Sequence, residues 1–293
     1  MLNESRIPKP TWLKARIPSG SRYFKIRRDL ESRGLHTICQ SARCPNIGEC
    51  WNHNHATFLI MGDICSRNCL FCSVKHGIPR LLDADEPRRI LEMVKILKLK
   101  YAVITSVTRD DLEDGGSRHF ARIIKILKQH QPDLKIEVLI PDFKGDPEAV
   151  DVVLDAQPAV LNHNVETVKR LYEKVNRHPA NYQSSLKVLK HSSDRGMITK
   201  SGVMVGLGET PDELKELFAH LTEKGVRLLT IGQYCQPSRE NVKVERFYNP
   251  GEFAALRELA LSFGFTAVES GPFVRSSYHA DTMYERAARS YEG

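Results

Sequence analysis

Six of the chain's seven cysteines stand in two close triplets. Cys39, Cys44 and Cys50 form a C-x4-C-x5-C run, and Cys65, Cys69 and Cys72 a C-x3-C-x2-C run. Three soft thiolates this near one another suit three corners of an iron–sulfur cube. The fourth iron is then open to a substrate or cofactor, whereas a fourth cysteine closes a site for electron transfer. Two triplets predict two clusters with separate tasks. Zinc is the rival reading. Structural zinc wants four ligands, usually as two C-x2–4-C pairs or as pairs with histidine. Neither run has that form, although His53, His55 and His76 are placed to serve as a fourth ligand. The four-cysteine ferredoxin run ending in Cys-Pro is absent, since Cys44-Pro45 sits in the middle of its triplet. The seventh cysteine, Cys235, reads as a small buried apolar group.

The elements that position these residues are legible from about residue 57 onward. Apolar runs predict strands at 57–61, 101–107, 135–140, 159–162, 202–206, 227–234 and 265–268. Between them lie four helical faces: Ile90, Met93, Val94, Leu97; Phe120, Ile123, Ile124, Leu127; Leu214, Leu217, Phe218, Leu221; and Leu256, Leu259, Ala260, Phe263. Thr210-Pro211 with Glu213, and Asn249-Pro250 with Glu252, mark two helix starts by capping residue, first-turn proline and capping-box glutamate. Repeated β-α units predict α/β architecture with parallel strands, a partial (β/α) barrel of TIM type flanked by extensions. Residues 1–56 read as an irregular N-terminal extension, 57–270 as the barrel and 271–293 as a C-terminal segment, with 285–293 a polar mobile tail. Sites in such folds gather at the carboxyl ends of the strands. The second triplet follows the first strand, 105–116 the second, Pro141–Phe143 the third and Asn162–Asn164 the fourth, so one barrel mouth collects them.

Length and composition set the bounds. At 293 residues and 41% hydrophobic, the chain has material for one large core. No apolar run reaches the ~20 residues that span a bilayer, and the N-terminus lacks the apolar stretch of a secretory signal. An odd, clustered set of cysteines without an export signal predicts reduced thiols and a cytoplasmic protein. The net charge is +7, and residues 1–38 carry nine Lys or Arg against three Asp or Glu. No interleaved basic–aromatic pattern recurs as in single-strand binders, so an acidic protein partner is expected in preference to nucleic acid.

The second triplet, with Phe71 before its last cysteine, resembles the cluster motif of the radical S-adenosylmethionine superfamily. Gly202–Glu209 is similar to that superfamily's glycine-rich strand beside the adenine, although a tight strand end explains its glycines equally well. The first triplet just upstream narrows the resemblance to the lipoyl synthase family. Lys9–Lys14, Thr105–Ser117, Asn162–Thr167, Gln236–Ser238 and Gly271–His279 also match, so the likeness covers nearly the whole chain.

The resemblance implies a radical-generating [4Fe-4S] cluster on Cys65, Cys69 and Cys72. Its open iron binds S-adenosylmethionine, and reductive cleavage yields a 5′-deoxyadenosyl radical. A second, auxiliary [4Fe-4S] cluster is implied on Cys39, Cys44, Cys50 and Ser277, with its sulfides consumed. A hydroxyl oxygen is a harder ligand than a thiolate, so it suits a corner iron that must be released. Without the family, Ser276 and Ser277 would read as turn-capping residues. The implied substrate is an octanoyl chain on a lipoyl-carrier protein domain, receiving sulfur at C6 and C8. The implied helpers are a flavodoxin- or ferredoxin-type electron donor and an iron–sulfur carrier that rebuilds the spent cluster. Asn162 and Asn164 are candidates to hydrogen-bond S-adenosylmethionine, with turn formation the plainer alternative. His163 and His279 read as hydrogen-bonding residues. The acidic residues Asp110, Asp111, Glu113 and Asp114 read as a solvated loop or ion pairs with Arg109 and Arg118. Neither membrane nor nucleic acid is expected as a partner. The alternatives are another sulfur-inserting radical enzyme, such as a tRNA methylthiotransferase, or a non-catalytic iron–sulfur or RNA-binding protein.

Overall fold

The computed structural model describes residues 7–14, 17–178 and 180–289. The first six residues of the N-terminal extension and the last four of the predicted tail lie outside the described residues. The extension is more regular than expected. It holds helix α1 (Ser21–Ser32), strand β1 (His36–Thr37) and the short helices α2 (Ile38–Ser41) and α3 (Ile47–Asn52). Its order is hard to read because α1 starts at Gly20 with no side-chain cap and buries only Ile26 and Leu30. Tyr23 stacking on Trp51, with ring centroids 5.2 Å apart, holds α1 in place of a broad apolar face.

Strand β2 (Thr57–Ile60) opens the repeating part. The short strands β3 (Ile64–Cys65) and β4 (Lys75–His76) then pair in parallel across the second triplet. Helix α4 (Glu86–Leu97), strand β5 (Tyr101–Ser106), helix α5 (Ser117–His130), strand β6 (Lys135–Leu139), helix α6 (Pro147–Leu154) and strand β7 (Val160–Asn162) follow. The chain continues through α7 (Ala180–Asp194), β8 (Thr199–Val205), α8 (Pro211–Glu223), β9 (Leu228–Gln233), α9 (Pro250–Ser262), β10 (Ala267–Gly271) and α10 (Ala280–Arg289). The main sheet runs β1-β2-β5-β6-β7-β8-β9-β10. Every neighbour pair is parallel except β1 on β2, so the fold is an incomplete (β/α) barrel.

Local chemistry agrees with this order. Both predicted capping boxes are present, Thr210 with Glu213 on α8 and Asn249 with Glu252 on α9, each helix carrying proline in its first turn. Such caps contribute about 1 kcal/mol each. The expected faces of α4, α5 and α8 are buried against the outside of the sheet. On α9 the burial centres on Phe253, Leu256 and Ala260, while Leu259 and Phe263 are only partly covered.

Two departures concern polar stretches. Strand β8 begins three residues before the predicted Gly202, because Thr199, Lys200 and Ser201 are fully buried polar residues that mask its pattern. The predicted tail is helical as far as Arg289. In α10, Met283 and Ala287 are fully buried against Val160, Leu228 and Ala267, at the amino ends of β7, β9 and β10. Helix α10 therefore packs beneath the barrel.

Register sets Leu59, Thr105, Leu139, Asn162, Lys200, Leu228 and Ala267 side by side across the sheet. Glu137 accepts hydrogen bonds from Lys200 Nζ at 3.0 Å, Asn162 Nδ2 at 3.0 Å and the Tyr101 hydroxyl at 2.8 Å. Glu137 and Lys200 have no exposed side-chain surface. A buried pair holds only when its remaining hydrogen bonds are met, and three strands meet them here.

Candidate functional site

The second triplet leaves the end of β2 and is tied to three other loops at the mouth. The Ser66 amide donates to Thr108 O at 3.0 Å, Leu70 N to Val175 O at 2.9 Å and Val242 N to Leu70 O at 3.0 Å. Asn241 Nδ2 donates to Cys72 O at 3.0 Å. Two amides point at Cys65 Sγ, Arg67 N at 3.4 Å and Thr108 N at 3.3 Å, and Val74 N points at Cys72 Sγ at 3.4 Å. Hydrogen bonds to sulfur favour the thiolate that a metal needs and tune a bound cluster's potential.

Arg67 is the clamp of this loop. Its guanidinium donates in fork geometry to Asp110 (2.6 and 2.9 Å) and to Asp142 (2.8 and 2.7 Å), joining the loops after β5 and β6. Burial alone would raise the Asp142 carboxyl, but the hydrogen-bonded Arg67 overrides it and holds it at about 2. Beside it, His163 Nδ1 donates to Ile140 O at 2.9 Å, so Nε2 is the acceptor facing the Ser185 hydroxyl at 2.8 Å. Burial lowers this imidazole to about 4 and keeps it neutral.

The two predicted asparagines part company. Asn162 is fully buried, its Nδ2 donating to Glu137 in the barrel's interior network while its Oδ1 has no partner. Asn164 lies at the mouth, donating to Ser276 Oγ at 2.6 Å, while its own buried Oδ1 has no partner. A Cβ at Gly202 would approach that oxygen to 2.7 Å, so glycine leaves room for Asn164. Glu166 was not anticipated. It is partly buried, its burial raises its carboxyl, and its charge reaches Cys69 and Cys72. Its φ of 69° lies in the left-handed region, strain that clusters at binding sites. No sequence pattern marks that conformation.

The first triplet sits on α2, the turn after it and α3. Thr37 caps α2 through the Gln40 amide, Cys44 N donates to Cys39 O at 2.9 Å and Cys50 N to Asn46 O at 2.9 Å. The C-terminal motif comes to it from across the chain. Asn46 Nδ2 donates to Phe273 O at 2.6 Å, and the Tyr278 hydroxyl lies 3.5 Å from Glu49 Oε1. Arg275 acts electrostatically on Cys44, and Cys50 on Tyr278. Between them Ser277 is partly buried and makes no side-chain hydrogen bond among the described residues. Ser276, by contrast, is held by Asn164.

Burial first, then neighbouring cysteines, pushes the Cys39 thiol up to about 11 and Cys50 to about 12. Burial likewise raises Cys69 to about 11 and Cys72 to about 12, against the opposing Arg177 charge at Cys69 and the Val74 amide at Cys72. Without metal, Cys39, Cys50, Cys69 and Cys72 are protonated near neutrality, so metal binding must expel their protons. Among the described residues no three His, Cys, Asp or Glu side chains converge as they would about one ion. The donor sets, the amides aimed at sulfur and the unpartnered Asn164 oxygen fit clusters that give each thiolate its own iron, together with a polar ligand beside them.

The remaining candidates fall elsewhere. Cys235, expected to be buried, is only partly so, one residue past the buried Tyr234. In the acidic loop Asp111 pairs with Arg109 as expected, but Asp110 is spent on Arg67. Glu209 closes the glycine-rich turn on itself, accepting from the amides of Gly206, Leu207 and Gly208. His53 Nδ1 donates to Glu49 O, His55 lies 3.9 Å from Asp281, and His279 lies 3.5 Å from Glu269.

The family model for the radical SAM superfamily matches residues 59–221, and that for the N-terminal domain of lipoyl synthase matches residues 2–44. The chain is 50% identical over 287 residues to lipoyl synthase of Rubrobacter xylanophilus, covering 97% of this chain and 89% of that one. It is 50% identical over 281 residues to lipoyl synthase of Bacteroides fragilis, covering 96% and 97%. Among solved structures, the FeFe-hydrogenase maturase HydG from Carboxydothermus hydrogenoformans matches with a TM-score of 0.59 at 14% identity, over 90% of this chain and 68% of that one. Methylornithine synthase matches with a TM-score of 0.54 at 14% identity, over 86% and 79%. These two carry the fold alone.

Proposed function

The chain belongs to the lipoyl synthase family of radical S-adenosylmethionine enzymes, and from that premise we propose how its residues divide the work. The reaction inserts two sulfur atoms, at C6 and C8 of a protein-bound octanoyl chain. Membership implies a [4Fe-4S] cluster, S-adenosylmethionine and a lipoyl-carrier substrate.

In our assignment Cys65, Cys69 and Cys72 hold the radical-generating cluster. Cys39, Cys44, Cys50 and Ser277 hold an auxiliary [4Fe-4S] cluster that is the sulfur source. Residues 1–56 and 271–293 thus act as extensions bearing the auxiliary site, and 57–270 as the radical-forming barrel. When bound, the first cluster and S-adenosylmethionine supply a carbon radical able to take hydrogen from an unactivated C–H bond.

The chain's own groups hold and orient. Arg67 fixes the cysteine loop to Asp110 and Asp142, and the Thr108 and Val74 amides steady the sulfurs. Asn164 and Glu166 offer an amide oxygen and a carboxylate to hydroxyl or amine groups of S-adenosylmethionine; Asn162 donates its amide to Glu137 and keeps an unpartnered Oδ1 of its own. Ser277 gives the auxiliary site one hard, weakly held corner. A flavodoxin- or ferredoxin-type protein is the electron source, and an iron–sulfur carrier rebuilds the auxiliary cluster. No described helix is long and apolar enough to cross a membrane, and we place the enzyme in the cytoplasm.

One observation carries this reading. The stretch 273–276 is bonded at one end to Asn46 within the first triplet and at the other to Asn164 beside the second. The test is a pair of variants. Cys65→Ala is expected to abolish S-adenosylmethionine cleavage. Cys39→Ala is expected to keep one cluster and some abortive cleavage but to form no lipoyl product; lipoyl formation by that variant would contradict the sulfur assignment.

A further inference from the structure

Resting on the function just given, we propose that the N-terminal arm and helix α1 form the docking surface for an acidic face of the lipoyl-carrier domain. Between positions 7 and 28 the chain holds seven Lys or Arg and no Asp or Glu. Lys9, Lys14, Lys25 and Arg28 are exposed and make no ion pair among the described residues. Ile7, Trp12, Ile17 and Phe24 stand among these charges at 47, 42, 88 and 52% exposure. Exposed apolar residues interspersed with cations along one segment are the composition of a protein-docking patch, and the unpaired cations select an acidic partner.

The arm's anchors place this patch at the chemistry. Trp12 Nε1 donates to Tyr248 O at 3.3 Å, in the loop after β9, and Leu13 is buried beside it. Further on, Asn52 Nδ2 donates to Ser19 O and Arg22 Nη1 to Asn52 O, both at 2.9 Å, while Tyr23 stacks on Trp51. The arm thus runs from the mouth's rim to α3, the helix carrying Cys50. A carrier seated there presents its acylated lysine next to the proposed sulfur source. RNA is the weaker occupant, because Tyr23 is packed between Trp51 and Phe24 and the open rings among the described residues of this segment are Trp12 and Phe24 alone, with no succession of them for bases.

The experiment uses reconstituted holoenzyme with a chemical reductant and two substrates, an octanoylated carrier domain and a short neutral octanoyl-lysine peptide. For Lys25→Glu/Arg28→Glu, kcat/KM on the domain should fall about tenfold or more, with the peptide value unchanged. Added salt should weaken wild-type turnover of the domain and leave the peptide alone. Lys25→Ala/Arg28→Ala should show a smaller loss in the same sense, which separates docking from a folding defect. An unchanged domain value, or equal losses on domain and peptide, would overturn the proposal. So would salt-dependent RNA binding by α1 with carrier affinity unaltered by the reversal. If wild-type enzyme thiolates neither substrate, the functional reading fails instead. Direct titration of the octanoylated domain onto wild type and variant then still decides docking, a shared affinity overturning it and a weakened variant supporting it.

Discussion

Asn46 and Phe273 are joined by a 2.6 Å hydrogen bond across 227 residues of sequence, from a side-chain amide to a backbone carbonyl. Asn46 is buried in the turn between Cys44 and Cys50, and Phe273 stands four residues before Ser277. This bond brings the C-terminal motif up to the first cysteine run. Asn46→Ala should loosen the C-terminal motif at a cost of about 0.5–1.5 kcal/mol, the usual worth of one hydrogen bond. Iron and sulfide analysis should show loss from one cluster, while S-adenosylmethionine cleavage persists.

The adjacent serines should behave differently. Ser277→Ala removes the unpartnered hydroxyl and should cut lipoyl formation by at least about a hundredfold, a loss typical of disabling a metal site's ligand shell. Ser276→Ala breaks only the bond from Asn164 and should act chiefly on the KM for S-adenosylmethionine. Steady-state kinetics of the two variants separates them; equal effects would contradict the division of roles.

Arg67→Ala would strip Asp142, whose side chain is 1% exposed, of its fork partner and leave it the Lys144 amide at 3.0 Å and Arg177 at 3.8 Å. Breaking a buried pair in this way costs about 3–5 kcal/mol. Adding Asp142→Asn should recover part of it. Urea unfolding of the metal-free chain provides the measurement.

His163 makes stability depend on pH. Its folded value of about 4 lies below the ordinary 6.5, so the unfolded chain binds the extra proton between them. Stability from this group is therefore complete above about 6.5 and lost as pH falls towards about 4, on the order of 3 kcal/mol in all. Asp142, held at about 2, acts lower: its share is present above its ordinary 3.8 and fades as pH falls through about 2. Denaturant midpoints of metal-free wild type should drop between pH 6.5 and 4.5, and His163→Gln should flatten that drop.

The barrel strands and both triplets were legible because apolar runs and cysteine spacing are local signals. Thr199–Ser201 escaped notice because their polar side chains face other strands, and strand pairing is not written in a single segment. The bond from Asn162 to Glu137 was hidden for the same reason, since the two lie 25 residues apart. Arg67 and Asp142 are 75 apart, so their clamp was invisible until the loops after β2 and β6 were brought together. Glu166 depends on a backbone angle that no composition announces. The regular extension and α10 were missed because each buries only a few apolar residues, too few to set a periodicity.

The central claim is that the cluster on Cys39, Cys44, Cys50 and Ser277 supplies the sulfur. It is tested most directly by rebuilding both clusters with heavy-isotope sulfide and allowing a single turnover with S-adenosylmethionine and an octanoylated carrier peptide. Mass spectrometry of the product should find the heavy isotope at both sulfur positions in wild type and no thiolated peptide from Cys39→Ala. Unlabelled sulfur in the product, or a labelled product from Cys39→Ala, would contradict the account.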